Sequence, residues 1–361
     1  MFRGIEGVRG WLAWTVVGSH IIQVTGLANV VSKAEALGRM GHYAVGVFII
    51  ISGFVITHLV VSKSEPYPLY IARRALRIYP AYLACLFIGI LISALTFDTL
   101  QGLPTMVPRQ AEQFSIRAAE FRNHFWPHLV AHLTLMHGAI PNNVLSQSQF
   151  MFLGPAWSLS LEWQFYLIAP LAIALLRGRF AALVVAVVLL GLAAYEAGLF
   201  GAFSVPSLLF GAGHLFLLGI VTRLVADRLP RFQSYPYAIA LGAAVLIVMS
   251  KDLIAPAIWL ALVAYFQTDK TSPLLDSRIA NWAGARSYSV YILHQPIIYL
   301  TVFAFHGLGF WPMFAAVTVV TVVVVTVGAE LLYWAVELPA IKFGKSLGRK
   351  TLAATPAPAS V

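Results

Sequence analysis

The chain has 361 residues, of which 60% are hydrophobic and 11% charged, with a mean hydropathy of +0.81. That much apolar surface excludes an ordinary soluble domain and requires helices that face lipid. The net charge of +10 does not indicate a nucleic-acid partner, because the basic residues are scattered over segment ends and do not cluster on a polar module.

Apolar stretches of spanning length recur along the chain, and nothing reads as ten-residue alternating strands. The expectation is an all-α, polytopic transmembrane helix bundle of about ten spans, at 8–27, 42–61, 76–97, 159–176, 180–197, 207–225, 236–249, 253–267, 287–305 and 312–336. Residues 126–140, with His128, His132 and His137, are too short to span and read as interfacial or re-entrant. With the N-terminus cytoplasmic, only Lys33, Arg39, Arg109, Arg117, Arg122 and Lys251 of the 24 Lys and Arg residues fall in outer segments. Both termini are therefore expected inside. Residues 1–345 form the expected membrane domain and 346–361 a disordered cytoplasmic tail. The outer stretch 98–156 is polar and aromatic, and a connection of that length is expected to cover or line a functional site.

Arg9 and His20 lie eleven residues apart in the first span, which places them on one helix face about 16 Å apart along the axis. An ionisable group inside the bilayer marks a functional site by default, so His20 is the first candidate, whereas Arg9 alone also fits a headgroup anchor. In the second span, the small residues between Val45 and Phe54 allow close helix approach, and Ser52 reads as packing. Arg73, Arg74 and Arg77 are one-turn neighbours at the inner surface. Such a cluster suits phosphates and is equally consistent with positive-inside anchoring. Glu162 lies just within the outer apolar boundary and needs a partner, for which His20 is available. His294 is a second buried histidine whose role stays open, and Glu330 reads as structural hydrogen bonding. His128 and His132 have a chelating spacing, but no acidic motif completes a zinc-hydrolase pattern, so no metal is expected.

These segments resemble the acyltransferase type 3 family of integral membrane O-acyltransferases. The matching residues are Arg9 and His20; Val45 to Phe54, ending Ser52-Gly53-Phe54; Arg74-Ala75-Leu76-Arg77 running into Tyr79-Pro80; Trp157-Ser158-Leu159 with Glu162 and Gln164-Phe165-Tyr166; Ser287-Tyr288 to His294-Gln295-Pro296; and Glu337-Leu338-Pro339. The resemblance implies a ten-span bundle in the bacterial inner (plasma) membrane. It also implies cytoplasmic acyl-CoA, acetyl-CoA in the first instance, as co-substrate, and a hydroxyl of a carbohydrate or glycolipid of the cell envelope as acceptor. On this chain His20 becomes the catalytic histidine, Arg9 its motif partner, and Arg74 with Arg77, beside Arg73, the coenzyme A phosphate contacts. Gly46 stands where many members carry Asp, and Trp163 where many repeat Glu, which leaves Glu162 as the expected acidic partner of His20. The histidine would act either as general base or as a nucleophile that carries the acyl group. The alternative class is a proton-coupled transporter, with His20, Glu162, His294 and Glu330 as a relay.

Overall fold

The computed structural model describes residues 4–63, 65–104, 106, 108–226, 253–268 and 271–354, and these are helical without any strand. Helix α1 (Ile5–Thr25) stops at Gly26, whose left-handed backbone (φ 75°) lets its N–H cap the carbonyls of Ile22 and Gln23. A single turn, α2 (Leu27–Val30), leads into α3 (Ala34–Ser62) and then α4 (Tyr67–Gln101), which has Pro68 in its first turn. The long connection that follows α4 folds as α5 (Pro108–Asn123) and α6 (Phe125–Leu133). There follow α7 (Ala156–Arg177), α8 (Ala181–Glu196), α9 (Leu209–Val225), α10 (Ile254–Phe266), α11 (Pro273–Asp276) and α12 (Arg278–Ala285). The chain closes with α13 (Ser287–Phe305), α14 (Phe310–Leu332), a π-helical turn at Tyr333–Glu337, and α15 (Leu338–Ala354).

Among the described residues, five helices are long and apolar enough to cross a membrane: α3, α4, α7, α13 and the continuous run Phe310–Leu347. The stretches expected at 180–197, 207–225 and 253–267 form helices of 16, 17 and 13 residues, and the one expected at 236–249 lies outside the described residues. Helix α1 carries Glu6, Arg9, His20 and Gln23 and falls outside the five. The last helix runs into the stretch expected to be a disordered tail, as far as Ala354; residues 355–361 lie outside the described residues.

Exposed apolar stripes at four-residue spacing, Phe87, Leu91 and Leu95 on α4 and Val319, Val323, Val327 and Leu331 on α14, face away from the core as a lipid-contacting surface would. Inside, α3 and α9 meet through reciprocal glycines. A Cβ on Gly53 would strike the Phe216 carbonyl, and one on Gly219 the Ile50 carbonyl, so these backbones touch directly. Gly46 packs against α10, where an added Cβ would lie 2.7 Å from that of Ala255. A larger residue at that position would force α3 and α10 apart.

The long connection between α4 and α7 carries helices of its own and packs on the core through Phe114, Ala118 and Leu135. Helix α6 has nine residues and is too short to cross a bilayer. Its His128 faces Glu120 (Nε2 to Oε2, 3.2 Å), and its His132 stacks on His137 at 4.0 Å between ring centroids. Burial pushes His132 down to about 3 and holds His137 well below the ordinary histidine range. Both rings are therefore neutral at physiological pH.

Candidate active site

Helix α1 joins two chambers. Its N-terminal half, through Arg9, lines a first chamber with Ser52, Arg74, Arg77, Glu162, Tyr166 and Tyr288. Its C-terminal half, through His20 and Gln23, lines a second with Arg117, Trp157, Gln295 and Tyr299. Arg9 and His20, expected on one face of one helix, thus line different chambers, about 16 Å apart along its axis. The wall between them is made where α7 begins and α13 passes. Ser158 and Tyr291 line the first chamber, with their hydroxyls 2.7 Å apart, while the adjacent Trp157 lines the second.

His20 finds its partner on α13. Its Nδ1 lies 2.7 Å from Nε2 of His294, and His294 Nδ1 lies 2.7 Å from the carbonyl oxygen of Tyr291. A carbonyl only accepts, so His294 Nδ1 carries the proton. With both rings neutral, His294 Nε2 is then bare and accepts from His20 Nδ1–H. One tautomer follows from this chain: His20 keeps an unprotonated Nε2. A half-buried imidazole with its second nitrogen held by an acceptor is an arrangement suited to a general base.

Glu162 does not pair with His20. Its Oε1 accepts from Ser52 Oγ at 2.8 Å and from Tyr166 Oη at 2.5 Å, so the acid expected beside the histidine faces the first chamber. Ser52 accordingly has a hydrogen-bonding role beyond the packing expected of it. Among the arginines, Arg77 is ion-paired with Glu337, a buried carboxylate on the π-helical turn that also accepts from Ser289 Oγ at 2.7 Å. Arg73 turns to Glu65 at 2.5 Å and does not line the chamber. Arg74 lies over the Tyr166 ring, 5.9 Å from its centroid, and its buried Nε has no hydrogen-bond partner. Arg9 makes only a 3.4 Å contact with Glu6 one turn away. The first chamber therefore presents Arg9 and Arg74 as cations available to an anion, with Arg77 as a neutralised wall.

Glu330 is held by Arg286 through two hydrogen bonds, of 2.5 and 2.9 Å, and by Trp334 at 2.7 Å. This is the structural role expected of it. Of the four groups that a proton relay would require, only His20 and His294 are joined. No cluster of three metal-ligating side chains occurs among the described residues. The residues that sequence reasoning left unassigned are Tyr291, whose carbonyl fixes the tautomer, and Glu337, which neutralises Arg77. Both lie in stretches quoted for the resemblance, but their partners are far away in the chain.

A sequence profile described as an acyltransferase domain matches residues 2–332, and the chain belongs to that family, acyltransferase type 3. It is similar to the acyltransferase MdmB of Streptomyces mycarofaciens, 30% identical over 48% of this chain and 39% of that protein. It is also similar to the O-acetyltransferase OatA of Staphylococcus aureus, 25% identical over 95% of this chain and 58% of that protein. The chain thus spans between about two fifths and three fifths of the length of these curated relatives. No solved structure matches it at a significant level.

Proposed function

We propose that the protein transfers an acyl group, acetyl in the first instance, from cytoplasmic acyl-CoA to a hydroxyl of a carbohydrate or glycolipid of the cell envelope. In this reading it sits in a bacterial inner membrane with about ten spans, both termini in the cytoplasm, and residues 1–345 as its membrane domain. The observation that carries it is the fixed tautomer of His20 at one end of a helix whose other end lines a chamber holding the unpartnered Arg74 Nε.

Each chamber has its chemistry. Arg74, with a buried unpartnered Nε, and Arg9 fit the phosphates of coenzyme A, since guanidinium groups match phosphate oxygens and hold their charge. For the pantetheine arm to reach His20, the wall at the Ser158–Tyr291 pair has to part, the two hydroxyls exchanging their mutual hydrogen bond for contacts with the arm. In the second chamber, His20 Nε2 accepts the proton of the acceptor hydroxyl as its oxygen bonds to the thioester carbonyl carbon. The carbon–sulfur bond breaks, and the proton passes from Nε2 to the departing thiolate. His294 steadies the ring and spreads the positive charge, the role an acid fills in a triad. The O-acetyltransferase name of one relative supports acetyl as the group moved.

The test is coenzyme A release and acceptor acylation by the purified protein in lipid discs. Wild type should release the thiol in step with acylated product, and His20→Ala should do neither. Substrate movement across a sealed membrane without any thiol release would favour the transporter.

A further inference from the structure

The second chamber holds a charge without a counter-charge. Arg117, from α5, is 6% exposed. Its Nη1 donates to Tyr299 Oη at 3.3 Å, its guanidinium lies 4.6 Å from the Phe114 centroid and 5.7 Å from that of Phe150, and its Nε is buried with no partner. Among the described residues no carboxylate pairs with it. Nearby acids are turned elsewhere: Glu120 serves His124 and His128, and Asp98 serves Arg122. A buried cation that the fold leaves uncompensated is costly unless something else supplies the negative charge.

Other polar atoms in the same chamber are also unspent. Gln110 Oε1 and Gln295 Oε1 are buried without partners. Amide oxygens accept from hydroxyls, and an indole face such as that of Trp157 stacks against the apolar face of a sugar ring. The set combines one cation, two free acceptors and an aromatic surface beside His20.

Resting on the acyl-transfer reading above, we propose that this chamber is the acceptor site and that Arg117 selects a sugar bearing a carboxylate or a phosphate. The guanidinium fork would hold the anionic group while a hydroxyl of the same residue meets His20 Nε2. Both anions satisfy the same fork, so the experiment separates them.

Binding of three probes to the purified full-length protein in lipid discs, measured by titration calorimetry, provides the test: methyl glucoside, methyl glucuronide and glucose 6-phosphate. At least one charged probe should bind about tenfold or more tightly than the neutral one, and which of the two it is identifies the acceptor anion. Arg117→Gln should bring the three within about twofold of one another, and Arg117→Lys should keep part of the preference. Equal binding of all three by wild type, no binding of either anion at millimolar concentration, or an undiminished preference in Arg117→Gln would overturn the proposal. The wild-type comparison stands even if the variants fold poorly. Thiol release from acyl-CoA, assayed separately, reports on acyl transfer itself. Its absence alongside a charge preference would count against the enzyme reading and not against the anion site.

Discussion

His20 Nδ1 lies 2.7 Å from Nε2 of His294, a residue 274 positions further along the chain, and His294 is in turn tied to the Tyr291 carbonyl at 2.7 Å. The basic nitrogen of His20 is thereby set by a backbone carbonyl two hydrogen bonds away. His294→Ala should lower kcat by about 10²-fold with little change in KM for acyl-CoA, because ring orientation matters in the transition state and not in donor binding. His294→Gln, whose amide oxygen can accept from His20 Nδ1–H, should recover part of the loss. Steady-state kinetics of the two variants decide this, and equal activity in both and in wild type would remove His294 from the mechanism.

His20→Ala should abolish acyl transfer, a loss of at least about 10²–10⁴-fold, the range a positioned base contributes. Membrane insertion and abundance should stay near normal, since alanine is easier to bury than histidine. Turnover assays on protein quantified by immunoblot provide the check, and residual wild-type turnover would rule out the assignment.

The three arginines should behave differently. Arg74→Ala should raise KM for acyl-CoA about tenfold, as expected when a contact made equally in ground and transition states is lost. Arg73→Ala should leave it unchanged, because Arg73 is held by Glu65 outside the chamber. Arg77→Ala should instead destabilise the fold by about 3–5 kcal/mol, since it strands the buried Glu337. Arg77→Ala with Glu337→Gln should regain much of that stability. Equal KM shifts at Arg73 and Arg74 would point to a diffuse surface charge effect.

The helical connection between α4 and α7 should loosen in acid. His132 is pushed down to about 3 by burial, whereas in the unfolded chain it takes a proton near pH 6.5. Between those values the unfolded state binds more protons, so stability is complete above pH 6.5 and declines as pH falls. For His132 the loss at pH 5 is about 2 kcal/mol. Thermal unfolding at pH 7.5 and pH 5 should show the decline, and His132→Asn should reduce it. A pH-independent midpoint would mean that the ring titrates freely.

Helix positions were legible from apolar runs, and the 287–305 stretch matches α13 end for end. His20, Arg74 and Glu162 stood out because polar groups inside apolar segments are costly. The pairings were not legible. His20 could be assigned to Glu162 as readily as to His294, because spacing within one helix fixes a face and says nothing about which helix lies opposite. Arg73 and Arg74 are adjacent in sequence yet part company, because about 100° of rotation sends one to Glu65 and the other into the chamber. Arg117 was expected only as one of six outer basic residues, and the fold of the connection between α4 and α7 is what brings it into the lining of His20's chamber.

In the proposed reaction, acyl-CoA entering by the Arg74 chamber and an acceptor entering by the Arg117 chamber would reach His20 from opposite sides of the membrane. Sealed vesicles containing the protein in one known orientation, supplied with labelled acetyl-CoA on one side and acceptor on the other, test it most directly. Labelled acceptor should form only when acetyl-CoA is on the side of Arg74 and the acceptor on the side of Arg117, with free thiol left on the donor side. Product formed only when both substrates share one side would contradict the account.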